Sequence, residues 1–231
     1  SVTNNYIASP GVDQETDAEL RARFGISTRG PSSTVFDSIQ AGIEAVSGVQ
    51  RVKGYENDTS ATSTGTVPAG IPAGFPQHSV TFVIEGGDDH EVATALWVKK
   101  TPGCYTNGTT EVEIVSVAGN INIIRFYRPT YKNVQVKVTL KKLSTYNDEY
   151  ATKIKNAVSD YIMNMELGDT LYRSIIWSVA TSTMDSIGNP AFSVTNVQFS
   201  TDGTSWSTDD ITPNFYEASY TTPDLVTVEV S

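Results

Sequence analysis

The clearest periodicity in the chain is a strict alternation: Val134, Val136, Val138 and Leu140 against Gln135, Lys137, Thr139 and Lys141. Side chains of a strand point to opposite faces in turn, so this pattern predicts a strand with one buried and one wet face. Apolar stripes at spacings of three and four lie on either side of it: Phe36, Ile39, Ile43 and Val46 ahead, and Ile154, Val158, Tyr161, Ile162 and Met165 behind. These predict amphipathic helices. Ser32, Ser33 and Thr34 are alternative N-caps for the first, Ser144 or Asn147 for the second, and Gly48 and Gly168 are expected to close them. Gly42 interrupts the first helix and weakens it unless close packing needs a residue without a side chain there.

Shorter signals fill the rest. Residues 49–56 read as a strand of mixed pattern, and residues 79–85 as a strand with Val80, Phe82 and Ile84 on one face and Val83 on the other. Gly86-Gly87 ends that strand, and Asp88, with Glu91 three residues on, opens a helix through Val92, Ala95, Leu96 and Lys99. Residues 102–108 read as a loop, and 110–117 and 121–127 as a hairpin turning near Gly119-Asn120. Further on, Ser174 is expected to cap a helix carrying Ile175, Ile176, Val179 and Met184, stopping at Gly188-Asn189-Pro190. A strand over 192–200, a turn at Asp202-Gly203 and an alternating strand over 225–230 complete the pattern.

Together these elements predict an α+β fold of two small mixed α/β-sheet domains, each with helices packed on one sheet face. Residues 1–9 form an extended N-terminal segment, 10–129 a first domain with a long loop at 57–77, and 130–231 a second domain of order βααββ with room for one more short strand. The loop is rich in Thr, Ser, Gly, Pro and Ala, and it is either a surface excursion or a contact arm. The first domain opens at Pro10-Gly11. Thr16 and Glu19 have capping-box spacing there, Asp17 and Glu19 suit the positive end of the helix dipole, and Arg21 and Arg23 suit its negative end before Gly25.

Composition narrows the function classes. The chain has 231 residues and a formal net charge of -10, with no basic run, which argues against a surface built to neutralise phosphates. Cys104 is the single cysteine, so neither an intrachain disulfide nor a multi-cysteine zinc site is available. No apolar run has transmembrane length. The first residue is Ser1, which suggests a piece of a longer protein.

Candidate chemistry is sparse. The acids Asp13, Glu15, Asp17 and Glu19 are explained by helix capping. Gly86-Gly87-Asp88 lacks a P-loop lysine and places acids where a phosphate would sit. His90 stands beside Asp88, Asp89 and Glu91, but without the spacing of a metal-binding pair; His78 follows Pro76 in a loop. Nothing in the sequence pairs Cys104 with a histidine, and Ser174 lacks a nucleophile elbow. No catalytic, cofactor-binding or metal residue is assigned, and a non-enzymatic role is expected.

A set of ordered segments adds to this reading. They are Pro10-Gly11-Val12-Asp13-Gln14-Glu15-Thr16-Asp17-Ala18-Glu19-Leu20-Arg21-Ala22-Arg23, Ala45-Val46-Ser47-Gly48-Val49 with Val52, Glu56 and Asn57, and His78-Ser79-Val80. Val83-Ile84-Glu85-Gly86-Gly87-Asp88, Glu91-Val92-Ala93, Lys100-Thr101-Pro102-Gly103, Gly108, Arg125-Phe126-Tyr127-Arg128-Pro129 and Val134-Gln135-Val136-Lys137-Val138 follow. In this order and spacing the chain resembles the baseplate J-like proteins, wedge components of contractile phage tails and related injection systems. Leu167-Gly168-Asp169 and Ser174 resemble the family's later domain.

The resemblance implies a structural, non-enzymatic virion component of the tail baseplate, or of a phage-derived particle, assembled in the bacterial host cytoplasm. Its expected partners are other wedge, tube or sheath-associated proteins and further copies of itself, without nucleic acid or membrane insertion. Its expected role is to pass on the rearrangement that triggers sheath contraction. Family members usually carry a region ahead of the segment at Pro10, which also suggests a fragment. The alternative is a carbohydrate- or surface-binding module of a tail or secreted protein. Trp206, Phe215, Tyr216 and Tyr220 serve either reading as exposed contacts, or else belong to the core.

Overall fold

Thr34 opens the first helix. Its hydroxyl accepts the Asp37 N–H at 3.2 Å while the Asp37 carboxylate accepts the Thr34 N–H at 3.3 Å, a reciprocal capping box. The computed structural model describes residues 34–66, 70–184 and 190–230. The segment 1–9, the helix start over 10–24, the caps Ser32 and Ser33 and the stop at Gly188-Asn189 lie outside the described residues.

Helix α1 (Val35–Glu44) buries Ile39, Ala41 and Ile43. It ends four residues before Gly48. The Val46 N–H turns back to the Ile43 carbonyl and the Val49 N–H to the Val46 carbonyl, so tight turns replace a further helical turn. Gly42 faces only the flexible side chain of Lys99, which can swing aside, so close packing does not require a glycine there. A Cβ there would stand 2.9 Å from Cδ of Lys99, whose stem crosses the helix to donate to the Ser38 carbonyl at 3.1 Å.

Strand β1 (Val49–Asn57) pairs antiparallel with β2 (Ser79–Gly86), with Val52 opposite Ile84. Helix α2 (Asp89–Lys99) follows, and the Asp88 carboxylate accepts the His90 and Glu91 N–H groups at 2.9 and 3.1 Å. The expected loop at 102–108 contains a short strand, β3 (Tyr105–Asn107), parallel to β2. Three residues are too few for a periodic signal. The hairpin β4 (Thr110–Val115) and β5 (Ile121–Phe126) forms as expected, but β4 stops before residue 117 because Ser116 and Gly119 close a tight turn. Val80, Phe82 and Ile84 of β2 join Ile39, Ile43, Val92, Leu96, Ile114, Ile124 and Phe126 in one core.

In the other half, pairing starts earlier than the alternation showed. Strand β6 (Thr130–Asn133) precedes β7 (Gln135–Lys142), and its polar sequence carries no alternation to read. Helix α3 (Glu149–Met163) starts with Asp148, not Ser144 or Asn147, at the cap position, although the Asn147 side chain does accept the Glu149 N–H at 3.0 Å. Helix α4 (Arg173–Ser182) is not capped by Ser174, which lies inside it; the Arg173 N–H is bonded by the Asp210 carboxylate at 2.8 Å. A distant acid thus satisfies the first free amide of a helix that no local side chain caps. The helix stops at Ser182, and Met184 packs beyond it against the core.

Strands β8 (Phe192–Ser200), β9 (Glu217–Tyr220) and β10 (Val226–Val230) complete the chain, the last after a 3-10 turn at Pro223–Leu225. The main sheet has the order β10-β7-β8, and β6 pairs with β9. The β6-to-β7 and β9-to-β10 segments therefore run side by side in parallel, joined at the break by the Val134 N–H to the Tyr220 carbonyl, 2.8 Å. Val134, Val136, Val138 and Leu140 are fully buried under Ile154, Val158, Ile162, Ile176 and Ala180 of the two helices. The fold is α+β, with several small mixed sheets.

Candidate functional site

The two hydrophobic cores meet at a third, smaller cluster. Val83, on the face of β2 opposite Phe82, is buried with Leu167 and Ala218, and Tyr55, Tyr127, Phe215 and Tyr216 pack around them. The Phe215 ring stands edge-on to Tyr55, Phe75, Tyr127 and Tyr216, with centroids 6.0, 4.9, 5.2 and 5.0 Å away. Gly168 sits against the Phe215 backbone: a Cβ would lie 3.0 Å from its Cα, and φ is +72°.

Phe75 reaches this cluster from the 57–77 loop and is only 2% exposed. The loop is held by its own polar side chains. The Asn57 amide donates to the carbonyls of Ala61, Phe75 and Pro76 at 2.9, 3.0 and 2.9 Å. The Ser63 hydroxyl donates to the Pro72 carbonyl and accepts the Phe75 N–H. Its C-terminal limb is thus tied into the body of the protein through an internal aromatic contact, which neither the excursion nor the arm reading foresaw.

An ionic network covers the same junction. Arg51 on β1 pairs with Glu85 on β2 and donates to the Met165 carbonyl at 2.6 Å, just past the end of α3. The phenol of Tyr131, on β6, donates to the other Glu85 oxygen at 2.6 Å. The Arg51 hydrogen bond holds the Glu85 carboxyl below its ordinary range, against the opposing effect of burial, and the same bond raises Arg51. The bond to Glu85 raises the Tyr131 phenol, and burial raises Tyr55. Lys53 meets Asp169 at 3.1 Å. Arg128 folds back on the end of β2, donating to the carbonyls of Ile84, Gly86 and Gly87 and to Asp89.

The residues singled out by sequence are spread over the molecule. His78 takes a positive φ of 49° between β1 and β2, and its carbonyl accepts the Tyr105 N–H. It lines a surface cleft of about 360 Å³ with Cys104 and Asp58, a juxtaposition that the sequence did not indicate. Burial raises the Cys104 thiol, the opposite of an activated nucleophile. His90 is exposed in the first turn of α2, and Ser174 is exposed within α4. Among the described residues, no group of three or more His, Cys, Asp or Glu is placed to hold a metal ion. No described helix is long and apolar enough to cross a membrane.

The C-terminal aromatics divide. Phe215 and Tyr216 belong to the junction, Tyr220 packs edge-on against Tyr131, and Trp206 lies under the Lys137 ammonium at 4.6 Å. A group of exposed aliphatic side chains lies instead on the β4–β5 hairpin. Val115 and Ile121 face each other across it at 64% exposure each, Ile123 is 43% exposed, and Val117 at the tip is fully exposed. Ile114, Ile124 and Phe126 on the other face fill the core. The outer edge of β4 has no strand neighbour among the described residues.

In comparisons with known proteins, no family model matches the chain and no curated protein matches it. The junction network and the outward face of the hairpin were both missed by sequence reasoning. Arg51, Glu85 and Tyr131 are isolated polar residues on separate strands, and only the sheet pairing brings them together. The aliphatics on both faces of β5 gave a strand signal without saying which face is open.

Proposed function

We propose that the chain is a structural component of a contractile-tail baseplate, a wedge protein acting by assembly with other proteins and passing on the rearrangement that leads to sheath contraction. One observation carries this reading: segments that resemble the baseplate J-like family meet around the junction. Ile84, Gly86 and Gly87 lend carbonyls to Arg128, Glu85 joins Arg51 and Tyr131, and Leu167-Gly168-Asp169 docks on Val83, Phe215 and Lys53. A junction tied by packed rings and a partly buried ion pair between Arg51 and Glu85 suits a part that moves as one body under load, because close-packed interiors deform little.

The hairpin is the assembly contact in this reading. Exposed aliphatics beside an unpaired strand edge favour addition of a partner's strand or apolar face. The test is co-expression of the chain with the proteins encoded beside its gene, followed by size-exclusion chromatography and electron microscopy. Sheath, tube and spike genes in that neighbourhood, with a stable complex, are the expected result. A metabolic gene neighbourhood, or a chain that joins none of those tail proteins, overturns the reading.

A further inference from the structure

Helix α4 has an outward face that the core does not explain. Ile176 and Ala180 point inward, whereas Ser174, Trp177, Ser178 and Thr181 follow at spacings of three and four along the other side. A tryptophan ringed by small hydroxyl residues is an unusual way to finish a solvated helix face. Trp177 is half-buried against the second core, and the rest of its indole borders two adjoining surface hollows. These measure about 630 and 380 Å³ and share Ser174 and Trp177. Each falls within the size of small-ligand sites, roughly 300–1,000 Å³.

The polar groups around the indole are held in place and only partly used. Arg173 donates its Nε–H to the Val197 carbonyl at 3.0 Å, which sets its guanidinium 5.7 Å from the Trp177 ring centroid. Its terminal nitrogens have no protein partner among the described residues. Asp210 spends one oxygen on the Arg173 N–H, and Asp209 spends one on the Ser207 hydroxyl at 2.7 Å. The second oxygen of each carboxylate, and the hydroxyls of Ser174 and Ser178, make no hydrogen bond to the described residues. The larger hollow thus offers one apolar ring, carboxylate acceptors and guanidinium donors, in a frame braced by backbone contacts.

We propose that this cleft binds a neutral saccharide, with a sugar ring stacked on Trp177, its hydroxyls donating to Asp209 and Asp210 and accepting from Arg173. The C–H face of a pyranose complements an indole, and its ring of hydroxyls needs donors and acceptors side by side. Two carboxylates against one guanidinium repel phosphates and acidic sugars. The hollow also lacks the aliphatic walls that a peptide anchor needs. The site is independent of the hairpin, so it stands or falls apart from the assembly role.

The test is an array of neutral oligosaccharides built from glucose, galactose, mannose and N-acetylglucosamine. A tryptophan-fluorescence titration of the full chain with the sugars retained follows. Saturable binding is expected, weakened at least about tenfold by Trp177→Ala and by Asp209→Asn, and changed less than about twofold by Trp206→Ala. Asp209→Asn keeps an acceptor for Ser207 and so guards against a misfolded Trp177→Ala protein. No binding of any neutral sugar at about 10 mM, binding of acidic glycans alone, or binding that both variants leave unchanged overturns the proposal. Tail-protein assembly measured with Trp177→Ala keeps the two readings separate: loss of sugar binding with assembly intact supports the cleft, and loss of both overturns its independence.

Discussion

Tyr131 and Glu85, far apart in sequence, share a 2.6 Å hydrogen bond from phenol to carboxylate across the junction of the two cores. Arg51 holds the other oxygen of the same carboxylate and reaches on to the end of α3. One acid therefore ties β1, β2, β6 and α3 together. Removing a partner leaves a poorly solvated charge, which costs more than the pair itself is worth.

Arg51→Ala is expected to destabilise the chain by about 2–4 kcal/mol in urea denaturation, because Glu85 stays in place without its counter-charge. Lys53→Ala, which breaks a far more exposed pair with Asp169, should cost less than about 1 kcal/mol. Equal effects of the two would show that the Arg51 network is no more than a surface ion pair.

The pH dependence has a definite sign. Glu85 titrates lower in the folded chain than in the unfolded one, so its contribution is complete above the unfolded carboxylate range and is lost as pH falls through the lower folded value. Glu85→Gln should be less stable than the parent at pH 7, and the gap should close in acid. Tyr131 and Tyr55 titrate higher when folded, so their contribution is complete below the ordinary phenol value and disappears as pH rises through the raised folded values. Tyr131→Phe should therefore soften the alkaline transition. Parallel stability curves for parent and Glu85→Gln between pH 3 and pH 7, roughly the carboxylate range, would contradict this.

Gly108 has no room for a side chain, since an added Cβ would stand 2.2 Å from the Phe126 carbonyl carbon, and backbone cannot rotate away. Gly108→Ala should cost about 3 kcal/mol or more and lower soluble yield. Gly103→Ala meets nothing within 4 Å, but φ there is +82°, so it should cost only about 1 kcal/mol of backbone strain. Denaturation midpoints of the two variants give the comparison.

The hairpin surface separates stability from assembly. Val117→Ser should change stability by no more than about 0.5 kcal/mol, because its side chain is already in solvent, and Ile121→Ser, which gives up a partly exposed cross-strand pair with Val115, by no more than about 1 kcal/mol. Under the assembly reading they should weaken incorporation into a complex. A complex of unchanged strength by sedimentation would remove the hairpin from the interface.

The Cys104 thiol should alkylate slowly at pH 7, since burial raises it and lowers its thiolate fraction. Iodoacetamide modification followed by mass spectrometry should show a slower rate than for a free cysteine. His78→Ala should not slow it further, because no hydrogen bond joins the two side chains.

Local physics explains what was legible from sequence. Alternation at residues 134–140 marked β7 with its correct buried face, since period two follows from the pleat alone. The stripe at Ile154, Val158 and Ile162 marked α3, and Thr34 and Asp88 acted as caps because a cap needs only its own first turn. These signals sufficed for the α+β class and for most strands. Tertiary structure decided the rest. β3, β6 and β9 are short or polar and exist because a neighbouring strand pairs with them. The first amide of α4 finds its partner in Asp210, through a contact across 37 positions, and not in a local cap. Phe75, Phe215, Arg51, Glu85 and Tyr131 have no periodicity to betray them, and they become one junction only when the chain returns to the same place. Backbone preferences act over a few residues, whereas a junction or a cleft depends on distances that sequence separation does not encode.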